Sequence, residues 1–258
     1  MSQAADVVLV SHSPEGVTLV TLNDPERRNA LSLALRIRLL EVLRAEAANP
    51  QTKALVITGA GKGFCAGGDI SAMGQGSAVS TPRMKILHDI ARELAVYPKP
   101  VMAAVNGAAF GAGLSLALLC DRIFVAGEAK LGVTFGKMGL APDTGFLWSA
   151  CRRLPRARVM QIVMDCAIFD ASEALNEGLV DAIADDVVEV ATAAARALIP
   201  AAPLPFALAR RALVEMDGGL ELCLSHELRD QGVLYDSADH LEAVAAFKEK
   251  RTAVFTGR

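Results

Sequence analysis

Two glycine-rich runs are where this chain could turn backbone N–H groups toward a developing negative charge. The first, Gly59-Ala60-Gly61-Lys62-Gly63, follows a β-branched apolar stretch. It is not a nucleotide loop, because a dinucleotide fingerprint needs glycine where Phe64 stands and a P-loop needs Ser or Thr where Gly63 stands. What remains is a backbone that turns tightly and admits close approach, since glycine lacks the Cβ that would block it. Taken alone, a plain structural turn accounts for this stretch equally well. The second run, Asn106-Gly107-Ala108-Ala109-Phe110-Gly111-Ala112-Gly113, opens an apolar helix whose first amides have no intrahelical acceptor. Two such sites, each after a strand of one parallel sheet, can aim two N–H groups at one oxygen. That chemistry suits an enolate, or a tetrahedral oxyanion, formed from a thioester carbonyl.

The elements that must position these runs follow from periodicity. Apolar stretches at 6–11 and 16–23, split by Ser13-Pro14-Glu15-Gly16, read as a hairpin. Helical spacing runs from Ser32, a plausible N-cap, to about Ala48. A strand Ala54–Thr58, a glycine-rich turn, a polar loop from Ser71 to Pro82 and a helix from about Arg83 to Val96 come next. The strand Val101–Val105, the helix Gly111–Cys120 and the strand Arg122–Ala126 continue the alternation, which predicts an α/β fold with a parallel sheet covered by helices. After about Gly139 strand signals are expected to stop. Amphipathic segments near 143–153, 155–165, 187–199, 203–216, 219–231 and 237–250 predict a helical extension that packs on the core or on another subunit.

Composition bounds the rest. A length of 258 residues suffices for one α/β domain with a sizeable core. A formal charge of −3, with 21% charged residues, offers no basic surface for nucleic acid. Five cysteines without a C-x-x-C pair and four histidines without ligand spacing predict a reduced protein with no metal site. The start MSQAADVVLV lacks the basic and long apolar segments of a signal peptide, and no apolar run reaches membrane-spanning length. A cytoplasmic protein with no membrane partner is expected.

Across nearly the whole chain the sequence resembles the crotonase superfamily of enoyl-CoA hydratases and isomerases. The residues that carry the resemblance are Leu22-Asn23-Asp24-Pro25 with Arg28-Asn29-Ala30-Leu31, Gly63-Phe64-Cys65-Ala66-Gly67-Gly68-Asp69, Lys99-Pro100-Val101 through Asn106-Gly107 to Gly113, and Phe247-Lys248-Glu249-Lys250-Arg251. The resemblance implies a spiral of ββα units over 1–198 and a helical trimerisation or lid region over 199–258. It assigns the oxyanion amides to Gly68 and Ala112 and makes Asp69 a structural hydrogen-bonding residue. Arg28, Ala30 and Ala66 are implied to cradle coenzyme A, with Phe247 and Lys250 closing over it from a neighbouring subunit of a trimer or dimer of trimers. Coenzyme A would enter as part of an acyl-CoA substrate, with no tightly bound cofactor.

The departures from that family's pattern carry information of their own. The two glutamates of typical hydratases fall at Ser115 and Phe135, neither of which is a carboxylate. Asp143, in Gly139-Leu140-Ala141-Pro142-Asp143-Thr144-Gly145, is one carboxylate that remains well placed. It either caps the helix running through Trp148 to Arg153 or moves the proton, as the aspartate does in the single-aspartate isomerases of the phenylacetate type that this pattern resembles. A carboxylate facing an apolar pocket has its pKa raised, which helps one group take a proton and return it elsewhere. Rival readings are a hydratase using Asp143 alone or with Ser115, a hydrolase or dehalogenase with Asp143 as nucleophile and His88 activating water, and a non-catalytic acyl-CoA-binding paralogue. His88 otherwise reads as a structural histidine on its helix. Met73, Met84 and Leu87 line an acyl pocket or simply pack, while Lys137, Arg152 and Arg153 are expected to be solvated charges.

Overall fold

A computed structural model describes residues 6–257; residues 1–5, part of the segment read for targeting signals, lie outside them. Strands β1 (Val8–His12) and β2 (Val17–Leu22) form the expected antiparallel hairpin at the edge of a six-stranded sheet. That sheet continues in parallel through β3 (Ala54–Gly59), β5 (Val101–Val105), β7 (Arg122–Val125) and β10 (Ala182–Ile183), in the order β1-β2-β3-β5-β7-β10. Every residue of β3 and of β5 is buried, the near-continuous apolar signature of strands covered on both faces. Leu55, Ile57, Ala103 and Val105 pack into the larger core, on the side that includes helix α1 (Leu33–Ala48). Ala54, Val56, Met102 and Ala104, offset by one, pack on helix α7 (Val187–Leu198).

A second, four-stranded sheet departs from the sequence reading. It is built from β4 (Gly63–Cys65), β6 (Ala108–Phe110), β8 (Lys130–Gly132) and β9 (Ile168–Asp170) in that order. Strands β9 and β10 thus follow Gly139, where strand signals were expected to end. Strands of two or three residues are too short to show a period, and these acquire their identity from the neighbours they pair with. This small sheet matters for function because β4 and β6 pair in parallel. Their C-terminal ends therefore open side by side, one into residues 66–68 and the other into helix α3 (Ala112–Leu118).

Helix α2 spans Ser77–Ala95, six residues more at its start than its spacing predicts, and carries Pro82 inside. The proline removes one backbone donor, but Met84, Leu87, Ile90, Ala91 and Leu94 bury one continuous face. The missing start signal comes from far away, as the Ser77 N–H donates to Asp236 Oδ1 at 2.7 Å. Helices α4 (Phe146–Cys151), α5 (Arg156–Met164) and α6 (Ala171–Asn176) follow, the last opened by a reciprocal Asp170–Glu173 capping box. The chain closes with α8 (Pro203–Asp217), α9 (Gly219–Leu234) and α10 (Ala238–Glu249). Helix α9 packs on α2 and α4, and α10 packs on the 3₁₀ turn Phe135–Met138. No single helix among the described residues is long and apolar enough to cross a membrane.

Candidate active site

The loop after β4 is held by backbone alone. Ala66 N–H donates to Arg28 O at 3.0 Å and Leu31 N–H donates to Gly67 O at 2.8 Å, so residues 28–31 act as a template for 66–68. Arg28 and Asn29 both adopt left-handed backbone, φ 54°. Asn29 compensates with its side chain, accepting from Asp24 N–H at 2.9 Å and donating to Ala60 O at 3.0 Å and Gly63 O at 2.8 Å. Asn106 grips the same turn from the other run, donating to Gly59 O at 2.8 Å and Gly61 O at 3.0 Å. Gly67 has φ +89°, and a Cβ there would stand 2.5 Å from Phe110 O and 3.4 Å from Ala112 N. At Gly113 a Cβ would stand 2.3 Å from Cys65 O. Only glycine lets the two loops approach this closely. Neither the Gly68 N–H nor the Ala112 N–H has an acceptor among the described residues. Asp69 turns away from them, accepting from Ser71 N–H at 3.1 Å and Ser71 Oγ at 2.6 Å.

Both loops border a cavity of about 440 Å³ whose wall is mostly apolar: Ile70, Met73, Phe110, Phe135, Met138 and Leu140 face it. Arg28, Ala66, Gly68, Ala112, Asp143 and Phe247 line it as well. Asp143 is the one carboxylate among the described residues to do so. Its side chain accepts from Thr144 Oγ1 at 3.1 Å and from Gln231 Nε2 at 3.4 Å, and its carbonyl accepts from Ser115 Oγ at 2.8 Å. Burial, and then the nearby charge of Glu227, push the Asp143 carboxyl up to about 6, against the partial relief given by Arg36. Helix capping does not explain Asp143: the N-cap of α4 is Gly145, with no side-chain cap. Thr144, next to it, is held at φ +59°, a conformation that side chains rarely adopt.

A model of the enoyl-CoA hydratase/isomerase family matches residues 12–258. The chain belongs to that family. It is 34% identical to a 1,2-epoxyphenylacetyl-CoA isomerase of Escherichia coli K12, over 97% of this chain and 98% of the relative. It is 38% identical to a probable enoyl-CoA hydratase of Rhodobacter capsulatus, over 95% of this chain and 96% of that one. Among solved structures, an enoyl-CoA hydratase from Mycobacterium avium subsp. paratuberculosis superposes with a TM-score of 0.87 at 31% identity, covering 97% of this chain and 98% of the other.

Within this enoyl-CoA hydratase/isomerase family chain, the residues singled out in the sequence fall in distinct places. Phe247 lines the cavity of its own chain, because α10 packs on the 135–138 turn. Ala30 is buried behind the 66–68 loop, and Lys250 is exposed at the end of α10; neither lines the cavity, whereas Arg251 does. Lys137 is exposed, as expected of a solvated charge, and also borders the cavity. Arg153 forms a forked pair with Asp181, and the Arg152 guanidinium lies 4.6 Å from the Trp148 ring centroid. Ser115 is fully buried and committed to the Asp143 carbonyl, and Phe135 meets Phe146 edge-on at 5.5 Å. Met73 lines the cavity, while Met84 and Leu87 sit in the packed interior of α2.

Glu227 and Gln231 escaped the sequence reading altogether. Both are buried on α9, on the stripe that also carries Leu220 and Leu224. A carboxylate and an amide at core positions of an amphipathic helix were the signal that marked them.

Proposed function

We propose that this chain is an isomerase that shifts a carbon–carbon double bond in an enoyl-CoA thioester, with Asp143 as the single base. The carboxylate removes a proton from the α carbon of a 3-enoyl thioester. The pair of the broken C–H bond becomes the π bond between the α carbon and the carbonyl carbon and displaces the carbonyl π pair onto the thioester oxygen, giving a dienolate held by the Gly68 and Ala112 N–H groups. Protonation at the γ carbon by the same Asp143 completes a conjugated 2-enoyl thioester, with atoms and charge balanced and no water consumed. The observation that carries this reading is that one carboxylate, poised to exchange a proton near neutral pH, shares an apolar cavity with two N–H groups that have no acceptor among the described residues. Arg28, Ala30, Ala66 and Phe247 form the coenzyme A cradle in this reading. Lys250, exposed on the 199–258 helical region, joins it from the neighbour in a trimer or dimer of trimers, apart from the 1–198 core. The setting is cytoplasmic.

A second reading, hydration, is favoured by the name of the Rhodobacter relative. Supplying a 3-enoyl-CoA and following the ultraviolet band of the conjugated thioester, together with product chromatography, separates the two. Conjugation without a 3-hydroxyacyl product supports the isomerase. Rapid formation of 3-hydroxyacyl-CoA from a 2-enoyl-CoA, with no conjugation of the 3-enoyl isomer, overturns it.

A further inference from the structure

The Asp143 turn is gripped from behind by groups that never reach the substrate cavity. Glu227, 3% exposed, accepts from the Gly145 N–H through both oxygens, at 2.9 and 3.2 Å. Its Oε1 also accepts from Cys223 Sγ at 3.3 Å. His88, 2% exposed, brings Nε2 to 3.1 Å from Glu227 Oε2 without a directed hydrogen bond. Four residues along α9, Gln231 Nε2 donates to Ala141 O at 3.0 Å and to Asp143 Oδ2. Glu227 borders a separate cavity of about 380 Å³, which Asp143 does not line, so it faces the back of the turn whose front faces the substrate side.

Resting on the reading of Asp143 as the base, we propose that Glu227 is its positioning residue: clamped between Gly145 N–H and His88, its carboxylate fixes the 143–145 turn and sets the charge that Asp143 faces. Two buried carboxylates beside one turn cannot both be ionised without mutual repulsion. Arg36 from α1, the Thr144 hydroxyl and His88 from α2 act on Asp143 as well, each favouring its charged form. Tyr235, just beyond α9, is also close: burial, and then the Asp143 charge, hold its hydroxyl in the neutral form. Glu227 acts in the opposite sense to Arg36 and His88, and the unusual φ at Thr144 persists because both ends of the turn are tied down.

The test compares Glu227→Gln, which keeps an acceptor for Gly145 N–H but removes the charge, with Glu227→Ala, which removes both. In Glu227→Gln, KM should stay near the wild-type value, while the acid limb of the kcat profile moves to lower pH by on the order of one unit. In Glu227→Ala, kcat should fall by about tenfold or more through loosening of the turn, with glutamine restoring most of it. A ¹³C-carboxyl titration of Asp143, assigned by its absence in Asp143→Asn, reads the same shift without using activity. An Asp143 titration that stays in place in Glu227→Gln overturns the proposal. If Asp143→Asn keeps its turnover, the isomerase reading fails instead, and the ¹³C titration still decides the role of Glu227.

Discussion

The 66–68 loop and the 143–145 turn border one cavity, yet they are built by different means. The loop is held by main-chain hydrogen bonds to residues 28–31, and the 59–63 turn before it by two asparagine side chains, with Gly67 and Gly113 where the two backbones come closest. The turn is held by side chains from distant helices: Ser115 on α3, and Glu227 and Gln231 on α9. Rigid backbone donors suit an oxygen whose position must not change during reaction. A base that takes and returns a proton instead needs a tuned environment, and side chains of mixed charge supply it.

The largest expected effect breaks the first region. A valine at Gly113 puts its Cβ 2.3 Å from the Cys65 carbonyl, where only backbone movement can make room. Gly113→Val should lose roughly 3 kcal/mol or more of stability or fail to fold, read as the denaturant midpoint. A midpoint within error of the parent would show that the two loops are not in close contact.

A smaller effect sharpens the second region, and its sign is the opposite. The Asp143 carboxyl titrates near 6 in the folded chain against 3.8 as a free group, so between those values the folded state binds the extra proton. Stability therefore falls as pH rises through that window, and above it the buried charge costs on the order of 2–3 kcal/mol. Asp143→Asn lacks this penalty and should unfold at higher denaturant than the parent at pH 8. At pH 4 the difference should be small. Equal stability of the two proteins at pH 8 would mean that Asp143 is not destabilised by its surroundings.

How much of this was legible follows the same division. The parallel sheet, the hairpin and the Ser32 cap were readable because each is written locally, in β-branched runs or in a hydroxyl that accepts from Leu35 N–H. Gly68, Ala112 and Asp143 were readable as a set through glycines and family spacing, and the structure brings them to one cavity. Strands β4, β6, β8 and β9 were not, since three residues carry no period. The start of α2 was hidden because Asp236, 159 residues away, secures it. Glu227 stood in the open as a carboxylate on a buried stripe, but its partner, the Gly145 N–H, is a backbone group that sequence does not display.

The central claim is that Asp143 moves the proton while the rest of the cavity binds the thioester. It is tested most directly by measuring kcat for 3-enoyl-CoA conjugation and Kd for a non-reactive acyl-CoA in one preparation of Asp143→Asn. Asparagine keeps the size and an acceptor for Thr144 but takes up no proton at neutral pH. Turnover should fall by roughly 10² to 10⁴, the range of general acid–base groups, with Kd unchanged. Retention of turnover with the same affinity would contradict the account.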